Sequence, residues 1–229
     1  MNNSAETAAV GCLHVFDMDG TLLRSTATIE LARQMGQLKA GREIEKKWVE
    51  EKISDTDFWL RLLDICKGAT AADLDEAFQN APWMKGIAGT FADIRSRGEE
   101  VIVISQSPTF FVRGLELWGA DETYGSAVEL GSPLGDSATL MPEEKVAITE
   151  SALAARSLSA DDCVVYGDSS SDVGLFKAFS HTVAVNPTPT LAPLAATSYV
   201  GTDIREAYAM GRQLLAASTR KQSEQGSPN

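Results

Sequence analysis

The chain has 229 residues, of which 44% are apolar and 23% are charged, as in an ordinary globular protein with one sizeable core or a core plus a small second domain. Its formal net charge of −12 argues against nucleic-acid and anionic-membrane partners, although a local basic pocket for an anionic substrate is compatible with it. Three widely spaced cysteines, no signal peptide and no apolar run long enough to span a bilayer predict a cytoplasmic protein without disulfides or a zinc site.

Short buried strands alternate with helices over most of the chain. Apolar runs predict strands at 12–16, 101–104, 163–166 and 182–185, with a pair of short strands within 122–130. Apolar stripes and capping residues predict helices at 29–37, 41–53, 55–66, 73–79, 87–97, 111–118, 143–157, 172–179 and 203–217, with Asp55 as the N-cap of the third. Residues 1–10 are predicted to be frayed and residues 219–229 to form a disordered tail.

The order of these elements predicts the architecture. Between residues 25 and 84 only helical patterns occur, and Pro82 interrupts them near the end, which indicates an all-helical insertion. The alternation of strands and helices elsewhere predicts an α/β fold with a doubly wound parallel sheet. Such sheets bind ligands at the carboxyl ends of their strands, where this chain has Asp17, Ser105 and Asp168.

Residues 13–23, LHVFDMDGTLL, carry the strongest functional signal. An apolar, β-prone run ends in Asp17 and Asp19, and a turn containing Gly20 and Thr21 follows. Residues two positions apart in an extended chain point the same way, so both carboxylates are expected to face one spot. Because two carboxylates at the end of a buried strand are costly without a cation or another partner, this segment predicts a site.

Phosphoryl transfer needs an in-line nucleophile, a proton donor for the leaving group, positive charge and commonly Mg²⁺, and the chain has a candidate for each. Asp17 can attack phosphorus, and Asp19 can act as general acid and then as base. Ser105 can offer its hydroxyl and loop amides to the phosphoryl oxygens, and Lys145 can offer a positive charge. Asp168 supplies a second carboxylate for the metal.

Other side chains complete the candidate site. Asp172 can orient either Lys145 or a metal-bound water. The candidate metal-binding residues are Asp17, Asp19, Asp168 and Asp172. The candidate substrate-binding residues are Gly20, Thr21, Arg24, Arg61, Ser105, Gln106 and Lys145. Arg24 and Arg61 either meet an anionic leaving group or are ordinary surface arginines.

Four segments, FDMDGTLL, VIVISQS, PEEK and VVYGDSSSD, resemble in order the four motifs of the haloacid dehalogenase (HAD) superfamily of phosphohydrolases, whose first motif reads hhhDxDGT. The resemblance covers residues 13–172. It implies a Rossmann-like core, a nucleophilic role for Asp17 and an acid/base role for Asp19. It also implies Mg²⁺ bound by the carboxylates of Asp17 and Asp168 and by the backbone carbonyl of Asp19.

The helical insertion resembles the cap of the phosphoserine-phosphatase-like branch of this superfamily. By this resemblance, residues 1–24 and 85–218 form the α/β core domain, and residues 25–84 form a helical cap domain. A cap of this kind would close over the substrate, exclude water during attack and select the leaving group.

The motifs depart from those of phosphoserine phosphatases at substrate-facing positions. Those enzymes usually read DxDSTLxxxE, with the Glu binding the substrate amine, whereas this chain has Gly20 in place of Ser and Thr26 in place of Glu. Their cap Arg, which binds the substrate carboxylate, aligns with Ile65, one helical turn from Arg61. Their Ser-Gly-Gly and GDGxND segments read SQS and GDSSSD here. The resemblance therefore implies intact phosphoryl chemistry with altered recognition of the leaving group.

Each motif also has a structural interpretation. Asp17 and Asp19 can be turn formers after a strand. Ser105 can simply cap the helix that follows Pro108, and Lys145 can be a solvated lysine or misaligned with the motif. The segment GDSSSD is also a good loop and N-cap.

Aromatic residues, histidines and a cysteine near the motifs have similar alternatives. Trp48, Phe58 and Trp59 could line a substrate pocket, but their helical spacing favours packing within the cap. His14 and His181 lie in strand-like runs and are expected to be structural. Cys163, just before a buried strand, is expected to be a small core residue.

The sequence thus predicts a Mg²⁺-dependent phosphomonoesterase that hydrolyses a small phosphorylated metabolite through an aspartyl-phosphate intermediate, without nucleic-acid or membrane partners. Two alternatives remain. A phosphotransferase on the same fold would share all the motifs. A non-catalytic protein that binds a phosphorylated metabolite would retain the site residues without turnover. A dehalogenase would need neither Asp19 nor Asp168, so their presence argues against that activity. The substrate and the oligomeric state do not follow from the sequence.

Overall fold

The computed structural model describes residues 11–135 and 137–225. The strands in this part of the chain are β1 (Leu13–Phe16), β2 (Glu100–Pro108), β3 (Glu122–Ser126), β4 (Cys163–Gly167), β5 (His181–Val185) and β6 (Thr197–Tyr199). The α-helices are α1 (Ala27–Gln34), α2 (Leu38–Val49), α3 (Asp55–Ile65), α4 (Ala71–Gln79), α5 (Ile87–Ser96), α6 (Thr109–Val112), α7 (Pro142–Ala155), α8 (Val173–Ala178) and α9 (Ile204–Gln225). Short 3-10 turns span Arg113–Trp118, Ala160–Asp162, Ser170–Asp172 and Ala192–Leu194.

The strands of the described residues form one six-stranded parallel sheet in the order β3-β2-β1-β4-β5-β6. Strand β1 lies in the middle, with Phe16 paired to Val103 of β2 on one side and to Tyr166 of β4 on the other. The predicted doubly wound parallel sheet is therefore confirmed. Because the winding direction reverses at β1, the carboxyl ends of β1, β2 and β4 meet at the position where such folds bind ligands.

The three central strands are apolar because both of their faces are covered. Phe16, Val103 and Tyr166 belong to one buried cluster, which also contains residues of α1–α5 and α9. The intervening residues, such as Val15 and Val165, belong to a second cluster with residues of α7 and α8. This alternation explains why the strands appear in the sequence as continuous apolar runs rather than as alternating patterns.

The predicted helical insertion contains α1–α4, which follow one another between β1 and α5. Residues with a hydroxyl side chain are the N-caps of three of these helices. Thr26 caps α1 by accepting a hydrogen bond from Ile29 N. Ser54 and Thr70 cap α3 and α4 by accepting from the backbone N–H three residues later. The prediction that Asp55 is the N-cap of α3 is therefore wrong: Ser54 is the N-cap, and Asp55 is the first residue of the helix. A carboxylate in the first turn still interacts favourably with the helix dipole.

Strand boundaries differ from the prediction at three places. Strand β2 does not stop before Ser105 but continues to Pro108, which pairs with Ser126 after a register shift. Segment 122–130 forms one strand instead of two. This strand ends at Ser126, and the next residue, Ala127, donates its backbone N–H to the carbonyl of Ala138 in the following loop. The three-residue edge strand β6 was not predicted from the sequence.

The carboxyl-terminal helix is longer than predicted. Helix α9 continues to Gln225, so the tail expected from residue 219 onward is helical up to that point, and residues 226–229 lie outside the described residues. The predicted frayed segment 1–10 also lies outside them. No helix among the described residues is long and apolar enough to cross a membrane.

Candidate active site

A cavity of about 600 Å³ opens at the carboxyl edge of the sheet, a volume typical of a small-molecule site. The strand ends supply its floor, including Asp17, Asp19, Ser107 and Asp168. The start of α1 together with α2 and α3 supplies the opposite wall. The cavity therefore lies between the sheet and the helical insertion.

Lys145 is the central charge of the site. Its side chain is completely buried, and its Nζ donates to Asp17 Oδ1 at 2.8 Å and to Asp172 Oδ1 at 2.7 Å. Helix α7, which begins at Pro142, holds the lysine in this position. Burial alone would lower the pKa of Lys145, but Asp17 and Asp172 raise it above its ordinary value, so the ammonium stays charged.

Asp17 follows β1 directly and is buried. Burial raises the pKa of this carboxyl group well above its ordinary value, the Lys145 ammonium opposes that change, and Asp172 and Asp168 add to it. Asp17 Oδ2 is a buried oxygen without a hydrogen-bond partner among the described residues. One oxygen of Asp17 is thus fixed by an ammonium, and the other has no protein donor.

Asp172 organises the loop after β4. Its Oδ2 accepts from Asp168 N at 3.0 Å and from Ser169 N at 3.3 Å, while its Oδ1 accepts from Lys145. Both of its oxygens are therefore engaged with the protein. Asp172 was expected to orient either Lys145 or a metal-bound water, and its hydrogen bonds agree with the first of these roles.

Asp168 is the third carboxylate of this group. Burial and then Asp172 raise its pKa to about 7. Its Oδ1 is another buried oxygen without a hydrogen-bond partner among the described residues. Carboxylate oxygens of Asp17, Asp168 and Asp172 all lie within 4.8 Å of one another. A group of carboxylates this close together, in which two buried oxygens lack a hydrogen-bond partner, fits a hard divalent cation such as Mg²⁺.

Asp19 is oriented differently from this group. Its Oδ2 accepts from Ser105 Oγ at 2.8 Å and from Ser107 Oγ at 2.7 Å, and its Oδ1 accepts from Ala27 N at 2.8 Å. Burial raises the pKa of Asp19, and the two serine bonds partly offset that effect. The hydrogen bond to Ala27 connects this carboxylate to the first turn of α1.

Ser107, and not the predicted Ser105, is the serine of this segment that lines the cavity. Ser105 is completely buried behind Asp19, and its Oγ also accepts from Ser107 N at 3.0 Å. Ser107, to which the sequence assigned no role, lines the cavity. Gln106 also lines it and donates from Nε2 to the carbonyl of Leu140 at 3.2 Å.

The turn after Asp19 brings the backbone close to the carboxylates. Gly20 has φ +85°, and a Cβ atom at this position would collide with the Asp168 carboxylate. Glycine is therefore the residue that fits both the backbone conformation and the available space. Thr21 is buried, and its hydroxyl has no hydrogen-bond partner among the described residues.

The two predicted arginines occupy different surroundings. Arg24 is exposed and lies on the lining of the cavity, where its backbone N donates to the carbonyl of Pro82 at 3.1 Å. Arg61 is exposed on α3 and is not among the residues that line the cavity. The structure thus brings Arg24, but not Arg61, to the predicted site.

The insertion contributes residues that no motif indicated. Trp48, Phe58 and Trp59 pack against one another and also line the cavity, so both interpretations of these aromatic residues hold together. Trp59 Nε1 donates to Thr139 Oγ1 at 2.7 Å, which joins α3 to the segment before α7. Glu45 of α2 lines the cavity as well. Its only sequence signal was a charged helix with an apolar stripe.

Known phosphoserine phosphatases are similar to this chain in sequence and in fold. A phosphoserine phosphatase from Methanocaldococcus jannaschii is 25% identical over 199 residues, covering 85% of this chain and 94% of that protein. The structure of a phospho-aspartyl intermediate analogue of phosphoserine phosphatase matches with a TM-score of 0.71 and 24% identity, covering 86% of this chain and 97% of the other. A substrate-bound phosphoserine phosphatase complex matches with a TM-score of 0.71 and 24% identity, covering 85% and 95%.

The model of the haloacid dehalogenase-like hydrolase family matches residues 14–177. This range includes all four segments from which the resemblance was drawn. The match covers most of the chain, and the fold agrees with that of the phosphoserine phosphatase structures. The recognition made from the motifs is confirmed: the chain belongs to the haloacid dehalogenase-like hydrolase family.

Proposed function

We propose that this protein is a Mg²⁺-dependent phosphomonoesterase that hydrolyses a small phosphorylated metabolite through an aspartyl-phosphate intermediate. The proposal rests chiefly on Lys145, whose buried ammonium joins Asp17 to Asp172 beside the unpartnered oxygens of Asp17 and Asp168. Family membership and the phosphatase relatives support a hydrolase of phosphoric monoesters.

Asp17 is the nucleophile in this proposal. One of its carboxylate oxygens forms a bond to phosphorus while the bond from phosphorus to the leaving alcohol oxygen breaks. The hydrogen bond from Lys145 fixes the orientation of the carboxylate, and Asp172 in turn fixes Lys145. The Lys145 ammonium, which lies 2.8 Å from Asp17 Oδ1, is the nearby positive charge that can stabilise negative charge on the phosphoryl oxygens.

Asp19 transfers protons in both half-reactions. In the first, its carboxyl proton goes to the oxygen of the departing alcohol. In the second, its carboxylate accepts a proton from water as the water oxygen bonds to phosphorus and the bond between phosphorus and Asp17 breaks. The products are the alcohol and inorganic phosphate. The raised pKa of Asp19 favours the protonated form that the first step requires.

Asp17 and Asp168 would hold Mg²⁺ through the buried oxygens that lack protein donors. When bound there, Mg²⁺ supplies positive charge that neutralises the carboxylates and polarises the phosphoryl group. Asp172 contributes by holding Lys145 and the amides of the loop after β4.

Residues 25–84 are proposed to act as a cap domain over a core formed by residues 1–24 and 85–218. The cavity lies between the strand ends and residues of α1, α2 and α3, so these three helices would determine which alcohol fits. The polar contacts between the insertion and the core include two that involve side chains near the cavity, from Ala27 N to Asp19 and from Trp59 to Thr139. Enclosure by such a cap would keep competing water away from the nucleophile.

The test is phosphate release from a panel of phosphomonoesters that includes p-nitrophenyl phosphate, with Mg²⁺ or with a chelator. A radiolabelled ester should also leave acid-stable, hydroxylamine-sensitive label on the wild-type protein and none on Asp17→Asn. Added alcohols that receive the phosphoryl group would instead indicate a phosphotransferase. Release that persists without divalent metal, or without label on the protein, would contradict the proposal.

A further inference from the structure

The part of the cavity formed by the insertion is acidic and aromatic. We infer that the site takes a phosphomonoester whose alcohol carries a positively charged nitrogen, which Glu45 binds together with the rings of Trp48, Phe58 and Trp59. This inference deepens the proposed function and rests on it. The supporting observations are the placement of Glu45, the charges along the cavity and the ring arrangement.

Glu45 is held at the cavity by a neighbouring hydroxyl. Thr26 Oγ1 donates its hydrogen to Glu45 Oε1 and accepts from Ile29 N at 3.2 Å. The threonine thus caps α1 and orients a carboxylate of α2 at the same time. Because Glu45 lines the cavity, a ligand there can reach its carboxylate.

The electrostatic surroundings of Glu45 are acidic. Burial, together with the carboxylates of Asp19 and Glu30, raises the pKa of Glu45 to about 7 against the lowering effect of the Thr26 hydrogen bond. A bound cation would stabilise the ionised form of this carboxylate. Glu45 therefore has the properties of an acidic group whose cationic partner is a ligand and not a lysine or arginine of the protein.

The charges along the whole lining favour a cation. Among the described residues that line the cavity, the acidic ones are Asp17, Asp19, Glu45, Asp55 and Asp168, whereas Arg24 is the one lysine or arginine. A divalent metal held by Asp17 and Asp168 would neutralise only the end of the cavity at the sheet. The end at the insertion would remain negative and would repel an anionic leaving group.

The aromatic residues form one continuous wall. The ring centroids of Trp48 and Phe58 are 5.3 Å apart, and those of Phe58 and Trp59 are 4.9 Å apart. Hydrogen bonds fix both indoles, from Trp48 Nε1 to Asp55 Oδ1 and from Trp59 Nε1 to Thr139 Oγ1, each at 2.7 Å. Aromatic faces attract ammonium groups, and a carboxylate beside them strengthens this attraction.

Glu45 lies on the side of the cavity that the alcohol would occupy. Asp19 is the proposed proton donor to the alcohol oxygen, and it accepts a hydrogen bond from Ala27 N. The adjacent residue, Thr26, contacts Glu45. A leaving group that meets Asp19 with its oxygen can therefore extend toward Glu45 and the aromatic wall.

The experiment compares esters that differ only in charge. Phosphocholine is paired with its neutral carbon isostere, 3,3-dimethylbutyl phosphate, and phosphoethanolamine is paired with propyl phosphate. In the wild type, the cationic member of each pair should have a kcat/KM at least about tenfold higher. Glu45→Gln, which retains an acceptor for Thr26, should reduce this ratio markedly, because only the attraction of the aromatic rings then remains. Glu43→Gln is the matched control, since Glu43 is exposed on the same helix and pairs with Lys47.

Equal kcat/KM values within each pair, or a ratio that Glu45→Gln leaves unchanged, would overturn the inference while leaving the phosphatase proposal in place. If no ester, including p-nitrophenyl phosphate, is hydrolysed, the proposed function itself fails. Calorimetry with choline chloride, against sodium chloride at equal ionic strength, then tests the cation site without catalysis. Binding to the wild type that is lost in Glu45→Gln supports the site, and absence of binding to the wild type refutes it.

Discussion

The Lys145 ammonium lies 2.7 Å from the Asp172 carboxylate, and neither side chain is accessible to solvent. Such a contact is far from an ordinary surface ion pair, because water does not screen it and each charge depends on the other. The same ammonium also binds Asp17. Lys145 therefore matters both to folding and to the position of the proposed nucleophile.

Lys145→Met should destabilise the protein, because it leaves the carboxylates of Asp17 and Asp172 buried without a cation. The free energy of unfolding should fall by about 3 kcal/mol in the presence of a chelator, measured by denaturant titration. Lys177→Met is the control, since Lys177 is exposed on α8 and its loss should change stability little. Equal stabilities of the two variants would mean that the buried ion pair contributes nothing.

Asp17→Asn should abolish catalysis and preserve the fold, because the two side chains have almost the same shape and Lys145 keeps Asp172 as a partner. Turnover should fall by at least about a thousandfold if Asp17 is the nucleophile. The measurement is steady-state phosphate release together with circular dichroism. A folded variant that retains turnover would contradict a mechanism in which Asp17 forms the aspartyl-phosphate.

Mg²⁺ affinity should decrease as the pH falls. Burial and Asp172 raise the pKa of Asp168 to about 7, so below that pH a proton competes with the metal for the carboxylate. The apparent dissociation constant should rise by about tenfold per pH unit below pH 7. Calorimetry at several pH values, in buffers with different ionisation enthalpies, would also detect the released proton. Affinity that is constant with pH would contradict this prediction.

The contact between Trp59 and Thr139 should couple the insertion to the core. A double-mutant cycle with Trp59→Phe and Thr139→Val should give a coupling free energy of about 1 kcal/mol in unfolding experiments. Trp48→Phe combined with Thr139→Val is the control, because Trp48 bonds to Asp55 instead and its effect should be additive. Additivity in both cycles would show that the Trp59 hydrogen bond does not contribute in solution.

Much of the fold follows from short-range patterns in the sequence. The buried strands are continuous apolar runs, and parallel strands bring their carboxyl ends to one edge, which correctly juxtaposes Asp17, Ser105 and Asp168. The three-residue strand β6 has no such pattern, because it lies at the edge and buries only part of its surface. The true N-cap of α3, Ser54, precedes an acidic residue that is almost as good a cap.

The wall formed by the insertion is harder to predict from sequence. Glu45 lies in a helix whose other charged residues face solvent, and no local pattern separates it from Glu43. Its position depends on how α2 packs against the start of α1, where Thr26 contacts it. The packing of one helix against another therefore determines this part of the site, whereas the proposed catalytic carboxylates directly follow a strand.

The turn at Gly20 constrains how this sequence can diverge. Phosphoserine phosphatases, which the first motif resembles, usually have serine at this position, yet here any β-carbon would collide with the Asp168 carboxylate. A single change of Gly20 to serine would displace a proposed metal ligand and strain a backbone with φ +85°. An evolutionary path between the two motifs thus has to accommodate a shift of the Asp168 side chain, so this turn and the loop after β4 are expected to covary among related proteins.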